Sequence, residues 1–222
     1  MSSADSRSIP PLVMLAGLFT ASIVVANIAA GVKLERVLGL VVPAGTISYC
    51  ITFPITDVVD EVWGKRQALY IVWAGLAAEV LMLAMIMADW IIPPVSHETQ
   101  VFYERVFHLQ PRIVAASIAA YIVSQHHDVW AFMKWREITR GRFLWIRNNA
   151  STIVSQLIDS SIFTTIAFYG QVPTYTLLNM ILSLWGFKVI VALCDTPFVY
   201  LGVHVVRRSL EGSNYNVEAK AY

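Results

Sequence analysis

In the run "TIVSQLIDSSIFTTIAF" (152–168), a side-chain amide, Gln156, and a carboxylate, Asp159, stand three residues apart among apolar neighbours. Three-residue spacing puts both on one face of a helix, and Asn149, Thr152 and Phe163 recur on that face at steps of three or four. The carboxylate accepts N–H donors, the amide both donates and accepts, and the ring offers a stacking surface. The pattern has an echo. "YIVSQHHD" (121–128) and "TIVSQLID" (152–159) share I-V-S-Q-x-x-D at an offset of 31 residues, which puts Gln125 and Asp128 on a common face as well. Gln156 reads either as a ligand-binding amide or as a hydrogen bond between packed helices. Asp159 reads either as a site residue or as the structural partner of Lys188 or an arginine, because a carboxylate within an apolar span is expensive.

Further polar groups lie in apolar surroundings. Glu79 sits within "WAGLAAEVLMLAMIMA" and Asn27 within "ASIVVANIAA". Lys188 and Asp195, seven residues apart and so on one helical face, lie in "LWGFKVIVALCDTPFVY". A buried lysine stays charged only beside a compensating carboxylate. A pocket lined by these acids and amides, with Phe and Tyr rings to stack, suits a planar heterocycle with an amidine-like or guanine-like edge. A lipid chain would satisfy none of these groups, and an inorganic anion would be repelled.

The elements that must position such groups are membrane helices. The 222 residues are 57% hydrophobic and only 14% charged, against about 25% charged in a soluble domain; mean hydropathy is +0.60. At about 20 residues per crossing, six spans are predicted: 12–31, 38–57, 68–92, 111–129, 150–170 and 176–206. The second holds Gly39, Pro43, Gly45 and Pro54 and reads as broken or partly re-entrant; the sixth is long enough to bend. Arg7, Lys65, Arg66, Lys134, Arg136, Arg140, Arg142, Arg147, Arg207, Arg208 and Lys220 fall on one side of these spans; Lys33, Arg36, Arg105 and Arg112 fall on the other. Positive charge collects inside, which predicts an all-α, polytopic, N-in/C-in protein. Residues 1–11 and 207–222 would be cytoplasmic tails around a transmembrane domain at 12–206, retained without signal-peptide cleavage. A short amphipathic helix is expected in the loop 93–110, and a basic loop near lipid headgroups at 130–149.

Other classes fit less well. Cys50 and Cys194 lie in apolar segments and read as buried thiols, and no metal site or cofactor is expected. His126 and His127 point about 100° apart on a helix, a poor arrangement for a haem or a catalytic metal. No basic face suited to nucleic acid is present.

Three stretches resemble the queuosine precursor transporter family, the VUT family of uptake permeases: "YCITFPITDVVDEVWGKRQA" (49–68), "RNNASTIVSQLIDSSIFTTIAFYG" (147–170) and "KVIVALCDTPFVYLG" (188–202). Carried onto this chain, the family pattern falls on Asp57, Glu61, Gly64, Lys65, Arg147, Ser155, Gln156, Asp159, Lys188, Asp195, Thr196 and Pro197, with Asn27 and Lys33 fitting its first helix. The family often has proline just after the residue matching Tyr49, where this chain has Cys50 and carries its proline at 54. The resemblance implies a six-helix permease of the cell inner membrane that imports 7-cyano-7-deazaguanine or its aminomethyl relative, with no nucleotide hydrolysis. No G-x-x-x-x-G-K-[ST] loop is present.

On that footing Asp159 and Gln156 would read the guanine-like edge, aided by Glu79 or Asn27, with Phe163 or Phe53 stacking. Lys188 would compensate a carboxylate and exchange partners during the cycle. Asp57 and Glu61 would form a gate or a helix-end salt-bridge network, with Asp195 and Arg147 also in coupling or gating. Uptake would be facilitated or proton-coupled. The alternative is a substrate-binding membrane subunit that needs a separate energising ATPase complex. Expected partners are the deazaguanine and membrane lipid, with a homodimer left open.

Overall fold

A chain in lipid must close its own backbone hydrogen bonds, and long apolar runs do so as helices. The computed structural model describes residues 3–138 and 144–218, and these are helical almost throughout. In order they form α1 (Ser3–Ala30), strands β1 (Leu34–Val37) and β2 (Leu40–Pro43), then α2 (Thr46–Cys50), α3 (Thr52–Trp63), α4 (Lys65–Ile91), α5 (His97–Phe107), α6 (Gln110–Ile138), α7 (Leu144–Phe168), α8 (Thr174–Cys194) and α9 (Thr196–Glu218). Among the described residues, four stretches are long and apolar enough to cross a membrane: Pro10–Ala30, Lys65–Ile91, His97–Ser124 and Thr174–Cys194. Ile153–Phe168, within α7, is a shorter apolar helix. The protein is thus an all-α polytopic membrane protein, apart from one small hairpin.

Segment 38–57 is not a continuous span. Its first residues belong to an antiparallel hairpin in which Leu34 pairs with Pro43 and Val37 with Leu40. The turn uses Leu38 at φ 51° and Gly39 at φ 84°, the doubly left-handed backbone of a two-residue hairpin loop. Gly45 (φ 81°) then opens α2. A Cβ there would lie 2.6 Å from the Ala26 carbonyl oxygen, so only glycine lets α2 seat against α1. The two short helices α2 and α3 follow, and Gly64 (φ 86°) turns the chain into α4.

The predicted sixth span also divides. Pro197 lacks an N–H and disfavours helical backbone in the residue before it; the break falls at Asp195, whose carbonyl accepts from the Phe198 and Val199 N–H groups at 2.8 and 3.0 Å and starts α9. The short helix expected in 93–110 is α5, begun by Ser96, whose Oγ accepts from the Thr99 N–H at 3.3 Å. The basic loop expected at 130–149 is largely helical: α6 runs to Ile138 and α7 starts at Leu144.

Four apolar clusters hold these pieces together. Phe19, Ile23, Ile55, Val59 and Ile71 join α1, α3 and α4. Ile113, Ala116, Ala167, Phe168 and Met180 join α6, α7 and α8. Val42 of the hairpin packs with Cys50, Leu184 and Phe187, and Met82, Ile86 and Val114 tie α4 to α6. Helices α6 and α7 run antiparallel in contact along much of their length. At one end the Arg112 guanidinium donates to the carbonyls of Ile166 (3.2 and 2.8 Å) and Tyr169 (2.9 Å). Toward the other, His127 Nδ1 lies 3.0 Å from Ser155 Oγ. Large apolar side chains on the outer faces, including Leu81, Met85, Leu178 and Leu182, are exposed in the isolated chain, as lipid-facing positions would be.

Candidate functional site

The five helices α1, α2, α6, α7 and α8, with α3 and α4 closing the sides, enclose a cavity of about 200 Å³. It is lined by Asn27, Phe53, Gln156, Asp159, Phe163 and Lys188, together with Thr46, Tyr49, Thr52, Thr56, Ser117, Tyr121 and Ser124. Six of the residues singled out from the sequence therefore come together in one place, from four separate helices. Such a concave site with a few polar groups in an apolar wall is the usual form of a small-molecule site.

On one wall, α7 brings Asp159 and Gln156 to the same face, and α8 brings Lys188 against them. The Lys188 ammonium donates to Asp159 Oδ2, and both residues are buried, at 4% and 8% exposure. Its Nζ also lies 4.7 Å from the centre of the Tyr49 ring, a cation–π distance. Two open interpretations of Lys188 and Asp159 thus meet in one pair that also faces the cavity. Gln156 lines the cavity beside them, and its side-chain oxygen is buried without a hydrogen-bond partner. Phe53 and Phe163 supply ring faces, Phe53 packed edge-on against Tyr49 with centroids 5.5 Å apart.

On the opposite wall, α1 presents Asn27 and α6 presents Ser117. Behind them Glu79 of α4 is fully buried, at 0% exposure. Asn27 Nδ2 donates to Glu79 Oε1 and lies 3.4 Å from Ser117 Oγ, while the Ser117 hydroxyl donates to the same Glu79 oxygen at 3.3 Å. Glu79 does not line the cavity; it stands one layer behind, because its neighbours on α1 and α6 intervene.

The remaining candidates lie elsewhere. Glu61 on α3 pairs with Arg207 of α9 at 3.0 Å, with both side chains more than half exposed. Asp57 is exposed on α3 and Asp195 sits at the α8–α9 break; neither lines the cavity. Asp195 does not pair with Lys188, whose carboxylate partner is Asp159. The side chains of Arg147, Asn149, Thr152, Gln125, Asp128 and Thr196 lie outside the described residues. Lys33 pairs with Glu35 on the hairpin at 2.8 Å. Among the described residues no group of three or more His, Cys, Asp and Glu is arranged to hold a metal ion.

Several contributors escaped the sequence reading. Thr46, Tyr49, Thr52, Thr56, Ser117 and Tyr121 line the cavity, yet isolated hydroxyls in apolar helices carry little signal. Gln110 is fully buried. It donates to the carbonyls of Asn27 (3.4 Å) and Ile28 (3.0 Å), tying the start of α6 to the end of α1.

Residues 43–202 match the family model described as "Putative vitamin uptake transporter". The chain is 34% identical over 171 residues to a "Probable queuosine precursor transporter" of Bacillus subtilis (strain 168), covering 76% of this chain and 75% of the relative. It is 27% identical over 135 residues to a protein of the same description from Haemophilus influenzae, covering 59% of this chain and 54% of that one. No solved structure matches it significantly. The matched region contains the broken α2–α3 segment and all of the cavity except the part contributed by α1, and its relatives are transporters, not enzymes: the chain belongs to the queuosine precursor transporter family of vitamin uptake transporters.

Proposed function

We propose that this chain carries a 7-deazaguanine precursor of queuosine, 7-cyano-7-deazaguanine or 7-aminomethyl-7-deazaguanine, across the cell inner membrane by alternating access. One observation carries the reading: Asp159, Gln156, Lys188, Asn27, Phe53 and Phe163 line a single small cavity. Asp159 and Gln156 take the guanine-like edge, Phe53 and Phe163 hold its faces, and Asn27 meets the far end of the bicycle. The two described relatives support the substrate class through their names. The volume suits one heterocycle, below the ~300–1,000 Å³ of sites for drug-sized ligands.

Lys188 keeps Asp159 neutralised while the site is empty, and the substrate's N–H groups take over part of that role when it binds. Exchange of partners at a buried ion pair gives proton movement a route, so uptake responds to a pH gradient. The reading includes six spans with both termini in the cytoplasm: α1, the broken α2–α3 segment, α4, α6, α7, and α8 continued by α9. Residues 1–11 and 207–222 form the tails. Glu61 and Asp57, with Asp195 and Arg147, belong to the inner mouth, where Glu61–Arg207 must open and re-form. As an exposed pair it contributes only about 0.5 kcal/mol, suited to a contact broken every cycle.

Purified protein in liposomes tests this directly. The chain alone should accumulate labelled 7-deazaguanine, more so under an imposed pH gradient, and Gln156→Leu should reduce uptake at least about tenfold. Binding without movement would instead assign the chain to a complex with an energising ATPase. Equal uptake in all pH conditions would remove the proton.

A further inference from the structure

We infer that Asn27, Ser117 and Thr46, grouped at one end of the cavity, offer a ligand hydrogen-bond acceptors, and that the carrier therefore selects the cationic aminomethyl deazaguanine over the nitrile form. This rests on the proposed substrate class and adds the choice within it. A side-chain amide has one donating and one accepting end. In Asn27 the donating end is committed, since Nδ2 donates to Glu79 Oε1 and approaches Ser117. The end left for the cavity is Oδ1. Ser117 likewise spends its proton on Glu79. Thr46, which opens α2 beside α1, spends its own on the Pro43 carbonyl at 2.6 Å. Each of the three lines the cavity with its proton turned into the protein and lone pairs left over. Glu79 is the cause: a carboxylate accepting from both neighbours dictates which way the Asn27 amide faces. It acts as a positioning residue rather than a contact.

The α7–α8 wall has the opposite character. Gln156 offers both senses, Asp159 accepts, and the Tyr49 ring stands over the Lys188 ammonium. A guanine-like edge sets two N–H donors beside one C=O acceptor and needs both senses, so it belongs on that wall. The 7-substituent, at the other end of the bicycle, then faces Asn27. An aminomethyl group brings up to three N–H donors and a positive charge to a surface of acceptors, and charge-assisted hydrogen bonds are the stronger kind. A nitrile brings only a lone pair, which Asn27, Ser117 and Thr46 cannot match. Polar groups left unmatched in a buried site are what discriminate most sharply between analogues.

Binding to the full-length chain in detergent should be measured with three probes: the aminomethyl form, the cyano form and unsubstituted 7-deazaguanine. The aminomethyl form should bind at least about tenfold more tightly than the cyano form, and the cyano form no better than the unsubstituted base. In Glu79→Gln, whose amide can donate, Asn27 is free to turn its nitrogen into the cavity. The ratio of the two affinities should then fall several-fold, and that ratio, which a general loss of packing would not change, is the readout. If Glu79→Gln does not fold, the ratio in the native chain decides alone. Binding of all three probes without preference, or preference for the nitrile, overturns this inference and leaves the substrate class standing. Failure of all three to bind overturns both.

Discussion

At the scale of single residues, the Lys188–Asp159 pair sets the stakes. Both are buried and joined across α7 and α8, so removing either alone strands a charge in an apolar surround, at a cost of about 3–5 kcal/mol. Asp159→Asn should therefore lower the thermal unfolding temperature in detergent as well as abolish uptake. Combining it with Lys188→Met should recover most of the lost stability and none of the transport. Thermal unfolding of the three variants checks this, and a stable single variant would mean the pair is not a buried counter-charge. Asp159, Lys188, Glu79 and Asn27 were legible in the sequence because charge and amide are conspicuous in apolar runs. Their partners were not. Lys188 had Asp195 on its own face and Asp159 on another helix, and only tertiary packing chose between them. The lining threonines stayed hidden for a different reason: hydroxyls satisfy themselves locally, as Thr56 does by donating to the Thr52 and Phe53 carbonyls at 3.0 and 2.8 Å.

Among the elements, α2 is the one most dependent on a single residue. Gly45 combines a left-handed backbone with an approach to Ala26 that leaves no room for a Cβ. Gly45→Ala should push α2 off α1, shift Thr46 and Tyr49, and weaken substrate binding at least about tenfold, an effect that binding in detergent would report. Gly186→Ala, where an added Cβ would meet nothing within 4 Å, should leave binding unchanged and serve as the control. The long helices were readable from apolar length alone, since nothing else satisfies the backbone in lipid. The glycines and prolines of 38–57 announced a break but not its form. Val37, Val41 and Val42 make a plausible strand and an equally plausible piece of membrane helix. The pairing of β1 with β2 and the packing of Val42 against α8 decide for the strand, and neither contact is local.

For the whole molecule, the uneven distribution of lysine and arginine makes a definite claim about orientation. With Cys194→Ser in place to limit background, Val95→Cys, fully exposed between α4 and α5, should react with a membrane-impermeant thiol reagent added to intact cells. Arg208→Cys should react only after the membrane is opened. The reverse pattern would invert the topology. The clamp from Arg112 onto the end of α7, with His127 meeting Ser155 further along, bears on how such a molecule moves. Fastened at one end and again at mid-length of α7, α6 and α7 resist sliding past each other and are coupled as one unit. In the proposed alternating-access cycle the hinge work would then fall on the seams around that unit: toward α1, where the Gln110 amide meets the Asn27 carbonyl, and toward α8, where one ion pair and the Trp185 indole bond to the Ile153 carbonyl (3.0 Å) would have to yield.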